Sequence, residues 1–174
     1  MEYTLADAYT LLNRTPKVLD LLLQGLEDSW ITSNEGPETW SPFDVLGHLI
    51  HGEETDWIPR AKIILSDAED KTFIPFDRFA QLEKSKGKSI RDLLEEFSRL
   101  REANIQELHA LNIQEEDLQK SGMHPELGPV SLKQLLSSWV VHDLGHLAQI
   151  SRVMAKQYKE EVGPWVQFMK ILNT

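Results

Sequence analysis

Apolar residues recur at three- and four-residue intervals along almost the whole chain, and that period constrains the fold more than any other feature. Leu5, Ala8, Leu11 and Leu12 keep it. So do Leu19, Leu22, Leu23 and Leu26, and later Ile90, Leu93, Leu94, Phe97, Leu100 and Ile105. This spacing lays an apolar stripe along one side of a helix. The strict alternation that marks strands is nearly absent.

Helix starts are marked by small hydroxyl residues. Thr4 precedes Asp7 by three positions, and Ser89 and Ser131 each open an apolar period. A hydroxyl there can accept an otherwise unpaired backbone N–H of the first turn. Thr15-Pro16 and Ser41-Pro42 add proline at the first helical position, where its missing N–H costs nothing. Breaks fall at Gly36-Pro37, at residues 67–87, at residues 121–129 and at Gly163-Pro164. The expected helices run from residue 15 to about 28, from 41 to about 65 with a kink at Pro59, from 89 to about 111, and from 131 to about 158. A short tail helix to Leu172 follows. The expected fold is all-α: one domain over residues 1–174, an antiparallel four-helix bundle with a short C-terminal helix.

Composition narrows the function. At 174 residues, with 41% apolar and 26% charged, the chain can bury a core without staples. It has no cysteine, so disulfides, thiolate metal sites and cysteine nucleophiles are excluded. A net charge of −10 argues against nucleic acid and anionic membranes as partners, because both need Lys and Arg. Residues 1–10 show neither a basic nor an apolar leader segment, and no apolar run reaches 18 residues. The cytoplasm is the expected location.

A bundle of this kind builds ligand sites from side chains that face inward. His142 and His146 are four apart on the fourth helix, about 40° apart around its axis and one turn apart along it. They flank the apolar stripe, so they face the interior. Alone, such a pair is often just hydrogen-bonded within a core. His48, beside Val45 on the second helix, also borders an apolar face. If those helices are neighbours, the three imidazoles form a ligand set for one divalent ion with a position left open. Zn, Ni, Fe and Mn are not distinguished by such a set. His51 lies about 60° from His48. It reads as more exposed, at most hydrogen-bonding a ligand histidine. Asp143 falls on the line of Leu136, Leu147 and Ile150, in the middle of the buried face. An unpaired carboxylate is costly there. It either fixes the tautomer of a ligand histidine through the distal ring nitrogen or enters a buried ion pair. Glu53, Asp56 and Arg60 on the second helix are further members for such a network, with Asp56 and Arg60 at a favourable spacing.

His124, in the loop His124-Pro125-Glu126-Leu127-Gly128, reads as a turn former rather than an acid or base. Trp40, Trp57, Trp139 and Trp165 read as core or interface residues. No phosphate-binding glycine loop or nucleophile elbow is present.

The segment Thr39-Trp40-Ser41-Pro42-Phe43-Asp44-Val45-Leu46-Gly47-His48-Leu49-Ile50-His51-Gly52-Glu53 resembles the second-helix signature of the DinB/YfiT-like superfamily. His142-Asp143-Leu144-Gly145-His146-Leu147-Ala148-Gln149-Ile150 resembles its fourth-helix signature, and His124 to Gly128 is similar to the loop before that helix. The resemblance runs from about Leu11 to Trp165. It implies a four-helix bundle, a homodimer, and a three-histidine metal centre at His48, His142 and His146. It also implies a metal-dependent hydrolase or a transferase that uses a low-molecular-weight thiol and acts on a small molecule. The competing expectation is a non-catalytic stress-response or scaffold module whose histidines are structural. Arg60, Arg78, Arg152 and Lys156 are the cations that could receive an anionic thiol.

Overall fold

The computed structural model describes residues 2–174; Met1, the first residue of the expected domain, lies outside the described residues. The chain folds as helices α1 (Leu5–Leu12), α2 (Thr15–Leu23), α3 (Asp28–Thr32), α4 (Pro42–Thr55), α5 (Trp57–Leu65), α6 (Ala80–Lys84) and α7 (Ile90–Ala110). Then come a hairpin of β1 (Ser121–His124) and β2 (Gly128–Ser131), and helix α8 (Leu132–Lys156). Four helical segments make the bundle: the broken pairs α1–α2 and α4–α5, then α7 and α8. The second segment touches both α7 and α8, while α1 packs on α8 and α2 on α7.

The caps at Thr4, Ser41, Ser89 and Ser131 form as the sequence predicts, whereas Thr15 is itself the first residue of α2 and its hydroxyl turns to Asp143 instead of capping. Ser41, Ser89 and Ser131 each close a capping box, with Asp44, Asp92 and Gln134 as the reciprocal partners. Each is worth about 1 kcal/mol. Thr4 Oγ1 accepts from Asp7 N at 3.1 Å.

Four boundaries differ from expectation. The helix from residue 15 ends at Leu23 rather than near 28, because Gly25 takes φ +76° and turns the chain before the separate α3. The expected kink at Pro59 is a full break at Asp56. Pro59 has no N–H for the Thr55 carbonyl, and its ring crowds that oxygen, so the helix restarts at Trp57. The loop at residues 121–129 contains a short hairpin in register Ser121 to Ser131. The tail winds as two 3-10 turns, Gly163–Phe168 and Lys170–Leu172.

The core has two apolar clusters. One gathers Trp57, Ile64, Phe73, Leu136 and Trp139; the other gathers Leu19, Val45, Leu46, Phe97 and Ile150. Burying each such side chain contributes about 1.5–3 kcal/mol. Trp139 is fully buried and stacks on Trp57 at 5.6 Å, whereas Trp165, expected in the core or at an interface, is 64% exposed on the tail. No described helix is long and apolar enough to cross a membrane.

Candidate metal centre

His48 comes from the middle of α4, and His142 and His146 from successive turns of α8. The contact of α4 with α8 brings them together. His48 Nε2 lies 3.2 Å from His142 Nε2, which lies 3.1 Å from His146 Nε2. All three ligand nitrogens fall within 4.8 Å of one another, so the trio could hold a metal ion. An ion about 2.0–2.1 Å from each nitrogen sets neighbouring nitrogens about 3.3 Å apart in a tetrahedral site, and about 2.9 Å apart on an octahedral face. The observed separations fall between.

Proton bookkeeping favours a cation. His146 Nδ1 lies 2.8 Å from Gln149 Oε1, an oxygen that can only accept. The His146 proton therefore sits on Nδ1, and its Nε2 presents a lone pair. One proton on His142 Nε2 could serve His146 or His48, but not both. An ion bound by three lone pairs satisfies all of them. The rings are neutral, as such ligands must be. Burial, then the neighbouring His146, His51 and Arg78, pushes His48 down to about 3. Burial, then His146, His48 and Arg101, pushes His142 down to about 3 as well. Burial also lowers His146, against Gln149 and Asp143.

Aromatic rings fix the imidazoles laterally. Trp40 tilts over His48 at 4.9 Å, Phe76 meets His48 edge-on at 5.3 Å, and Trp57 meets His142 edge-on at 5.1 Å. Among the described residues, His48 Nδ1 and His142 Nδ1 have no hydrogen-bond partner.

Two expected helpers sit elsewhere. Asp143 does not bond a ligand histidine. Its oxygens take two hydrogen bonds from the Arg101 guanidinium, at 2.6 and 3.0 Å, and one from Thr15 Oγ1 at 2.6 Å. The buried ion pair is thus the arrangement adopted, because a carboxylate at 2% exposure is best matched by a two-pronged cation. His51 is buried rather than exposed, since α6 covers it. Its Nδ1 lies 3.3 Å from Lys84 Nζ, and the Phe76 ring, 4.8 Å away, stands between it and the ligand set. Gln149, the residue that does orient a ligand, was discoverable as a polar side chain three positions after His146. His124 shapes its turn: its Nδ1 accepts from the N–H groups of Glu126 and Leu127, both at 3.2 Å.

The histidines floor a cleft of about 950 Å³, walled by Trp40, Arg78, Phe79, Leu82 and Arg152. Of the four cations named from sequence, Arg78 and Arg152 line it. Arg152 and Lys156 both bind Glu35, at 2.7 and 3.2 Å. Arg60 pairs with Asp56 at 2.8 Å, as the four-residue spacing predicts.

The family model of the DinB superfamily matches residues 11–150. The chain belongs to the DinB superfamily. Its fold is shared by YfiT from Bacillus subtilis, described as a probable metal-dependent hydrolase with an unusual four-helix bundle topology. The TM-score is 0.73 at 16% identity, over 93% of this chain and 91% of that one. The four-helix bundle protein TT2238 matches with a TM-score of 0.57 at 19% identity, over 85% of this chain and 98% of that one. No curated protein matches the sequence. In this DinB-superfamily chain, the two histidine-bearing signatures lie on α4 and α8, the two helices that meet at the cleft.

Proposed function

We propose that this DinB-superfamily protein is a metal-dependent enzyme acting on a small molecule, as a low-molecular-weight-thiol S-transferase or a hydrolase. The observation that carries the proposal is the convergence of three neutral histidine Nε2 atoms on the floor of an open cleft. Three protein ligands with room for a fourth are typical of catalytic rather than structural sites. A cleft of about 950 Å³ also suits a small molecule. A divalent ion held there supplies Lewis acidity that lowers the pKa of a thiol or a water.

The carboxylates of the cleft separate the two forms. Three carboxylates line the cleft. Asp44 is committed to the α4 capping box, and Glu35 to Arg152 and Lys156. Glu38 alone of the three has neither an ion pair nor a capping hydrogen bond. A thiol needs no further base once its pKa is lowered, whereas hydrolysis would draw on Glu38. The homodimer implied by the resemblance belongs to the same proposal.

The test is metal content by mass spectrometry on protein purified without a nickel column, beside His48→Ala and His142→Ala. About one metal per chain, lost in both variants, is the expected result. Thiol-transfer assays with electrophilic substrates then follow on wild type and Glu38→Gln, which keeps activity if a thiol is the nucleophile. No metal, and no uptake of added zinc, nickel or manganese, overturns the proposal and leaves a scaffold.

A further inference from the structure

Between the two apolar clusters lies a polar knot that contributes no ligand and is wholly buried. Arg101 of α7 is 1% exposed, and Glu53 of α4 and Asp143 of α8 are each 2% exposed. Arg101 grips Asp143 with both terminal nitrogens, and its Nη2 also donates to Glu53 Oε1 at 2.8 Å. Its Nη1 donates to the Leu12 carbonyl at the end of α1, at 2.9 Å. The guanidinium lies over Phe97 at 4.9 Å and over Trp139 at 5.1 Å, one ring from each cluster.

Every other partner of the two carboxylates can donate to them. Thr15 Oγ1 reaches Asp143 Oδ2, Trp139 Nε1 reaches Glu53 Oε1 at 3.0 Å, and Asn104 Nδ2 reaches Glu53 Oε2 at 3.0 Å. Donors thus reach all four carboxylate oxygens. The pair of anions in turn keeps the guanidinium protonated despite its burial. One guanidinium against two carboxylates leaves one negative charge in surplus. A surplus charge in a dry core is expensive unless an opposite charge lies near.

The knot and the candidate metal centre share their supports. Asp143 adjoins His142 in sequence, and Glu53 stands five residues after His48 on α4. Glu53 holds the Trp139 indole, which stacks on Trp57, whose edge meets His142. Three neutral imidazoles around a divalent ion leave its positive charge unbalanced by any protein ligand.

Resting on the metal-dependent reading above, we infer that Glu53, Arg101 and Asp143 form a buried counter-charge for the metal centre. Their surplus negative charge raises the affinity of His48, His142 and His146 for a divalent cation, while the knot holds α4 and α8 in the register that aligns the ligands. These are positioning and charge-balancing residues; none touches the ion.

The test measures the zinc dissociation constant of the full chain by competition with a chromophoric chelator, in wild type, Glu53→Gln, Asp143→Asn and Thr15→Val. The first two variants remove the surplus charge with little change of shape. The third removes one hydrogen bond and keeps the charge. The expected result is zinc binding weakened about tenfold or more in Glu53→Gln and Asp143→Asn, but held within about twofold in Thr15→Val. The absorption bands of cobalt(II) bound in place of zinc shift in the first two variants alone. The weakening persists at high salt, since a buried charge is poorly screened. Circular dichroism identifies a variant that fails to fold, and the other neutralising variant then decides. Wild type that binds zinc, with unchanged affinity in a folded neutralised variant, overturns the inference and leaves the knot purely structural. Wild type that binds no metal overturns the metal-dependent reading itself.

Discussion

Gln149 decides which nitrogen of His146 carries the proton, and so whether that ring can be a ligand at all. Its carbonyl oxygen, 2.8 Å from Nδ1, leaves Nε2 bare. Gln149→Leu should therefore weaken metal binding about tenfold or more, while stability changes little. Chelator competition and thermal melting of the apoprotein separate the two effects. The histidines also carry a pH signature. His48 and His142 are held down to about 3 in the folded chain, against an ordinary 6.5. His48 and His142 are already deprotonated at pH 5, so metal affinity should fall less between pH 7 and pH 5 than it would at an exposed imidazole site. Titration calorimetry at the two pH values checks this. The stability of the apoprotein moves differently. Between pH 6.5 and about 3 the unfolded chain binds protons that the folded chain refuses. The contribution of these two groups is therefore complete above pH 6.5 and is lost as the pH falls through that window. The convergence of the three histidines was legible in the sequence because each sits on the flank of an apolar stripe and so faces inward. Arg101 was legible in principle, as a lone charge at a position of the α7 stripe between Phe97 and Ile105. Nothing in the sequence says that its partners come from α4 and α8, because a helical period gives the buried face but not the helix across from it.

At the scale of elements, the cleft depends on a short helix that has little stability of its own. α6 has five residues, too few to persist alone. It is held on α4 by close approach at Gly47, where an added Cβ would lie 2.5 Å from Ser85 Oγ and 3.3 Å from Gln81 Cβ. Two opposing terms follow for Gly47→Ala. Helix propensity favours Ala by about 1 kcal/mol, and the overlap with Ser85 removes at least that much or lifts α6 away. Gly47→Ala alone should therefore gain no stability, whereas the same change made in Ser85→Ala should stabilise by up to about 1 kcal/mol. Urea melts of the four proteins of this cycle measure the difference. The long helices were readable because cap and period agree, as at Ser89 and Ser131. The interruption at Asp56 was harder to place: a proline marks a fault in a helix, but the chain yields up to a turn earlier, where the missing bond and the crowded carbonyl fall. The hairpin was hidden for another reason. Its strands are four residues each and rich in Gly and Pro, and the position that faces Phe73 and Ile64 is Gly122, so no apolar alternation develops.

Across the whole molecule, the question is whether the metal supports the fold or the fold supports the metal. The two apolar clusters, the serine capping boxes and the Arg101 knot include none of the three histidines. The three histidines lie at the cleft floor, on two helices in direct contact that the Arg101 ion pairs also tie together. Removing the ion leaves lone pairs facing one another but opens no cavity in either cluster. A zinc finger behaves otherwise, since its core is too small to fold without metal. The expected outcome of chelation is a helical, cooperative apoprotein of lower stability. The loss follows mass action: at free metal of 100 times the dissociation constant, binding contributes about 2.7 kcal/mol. For a chain of this size that corresponds to a melting point about 5–10 °C lower in the apoprotein. His142→Ala should melt where the apoprotein melts and should not respond to added zinc. Far-ultraviolet circular dichroism through the melt, with and without chelator, reads both. Loss of helix on chelation at room temperature would mean that the ion is structural, and the catalytic reading of the cleft would fall with it.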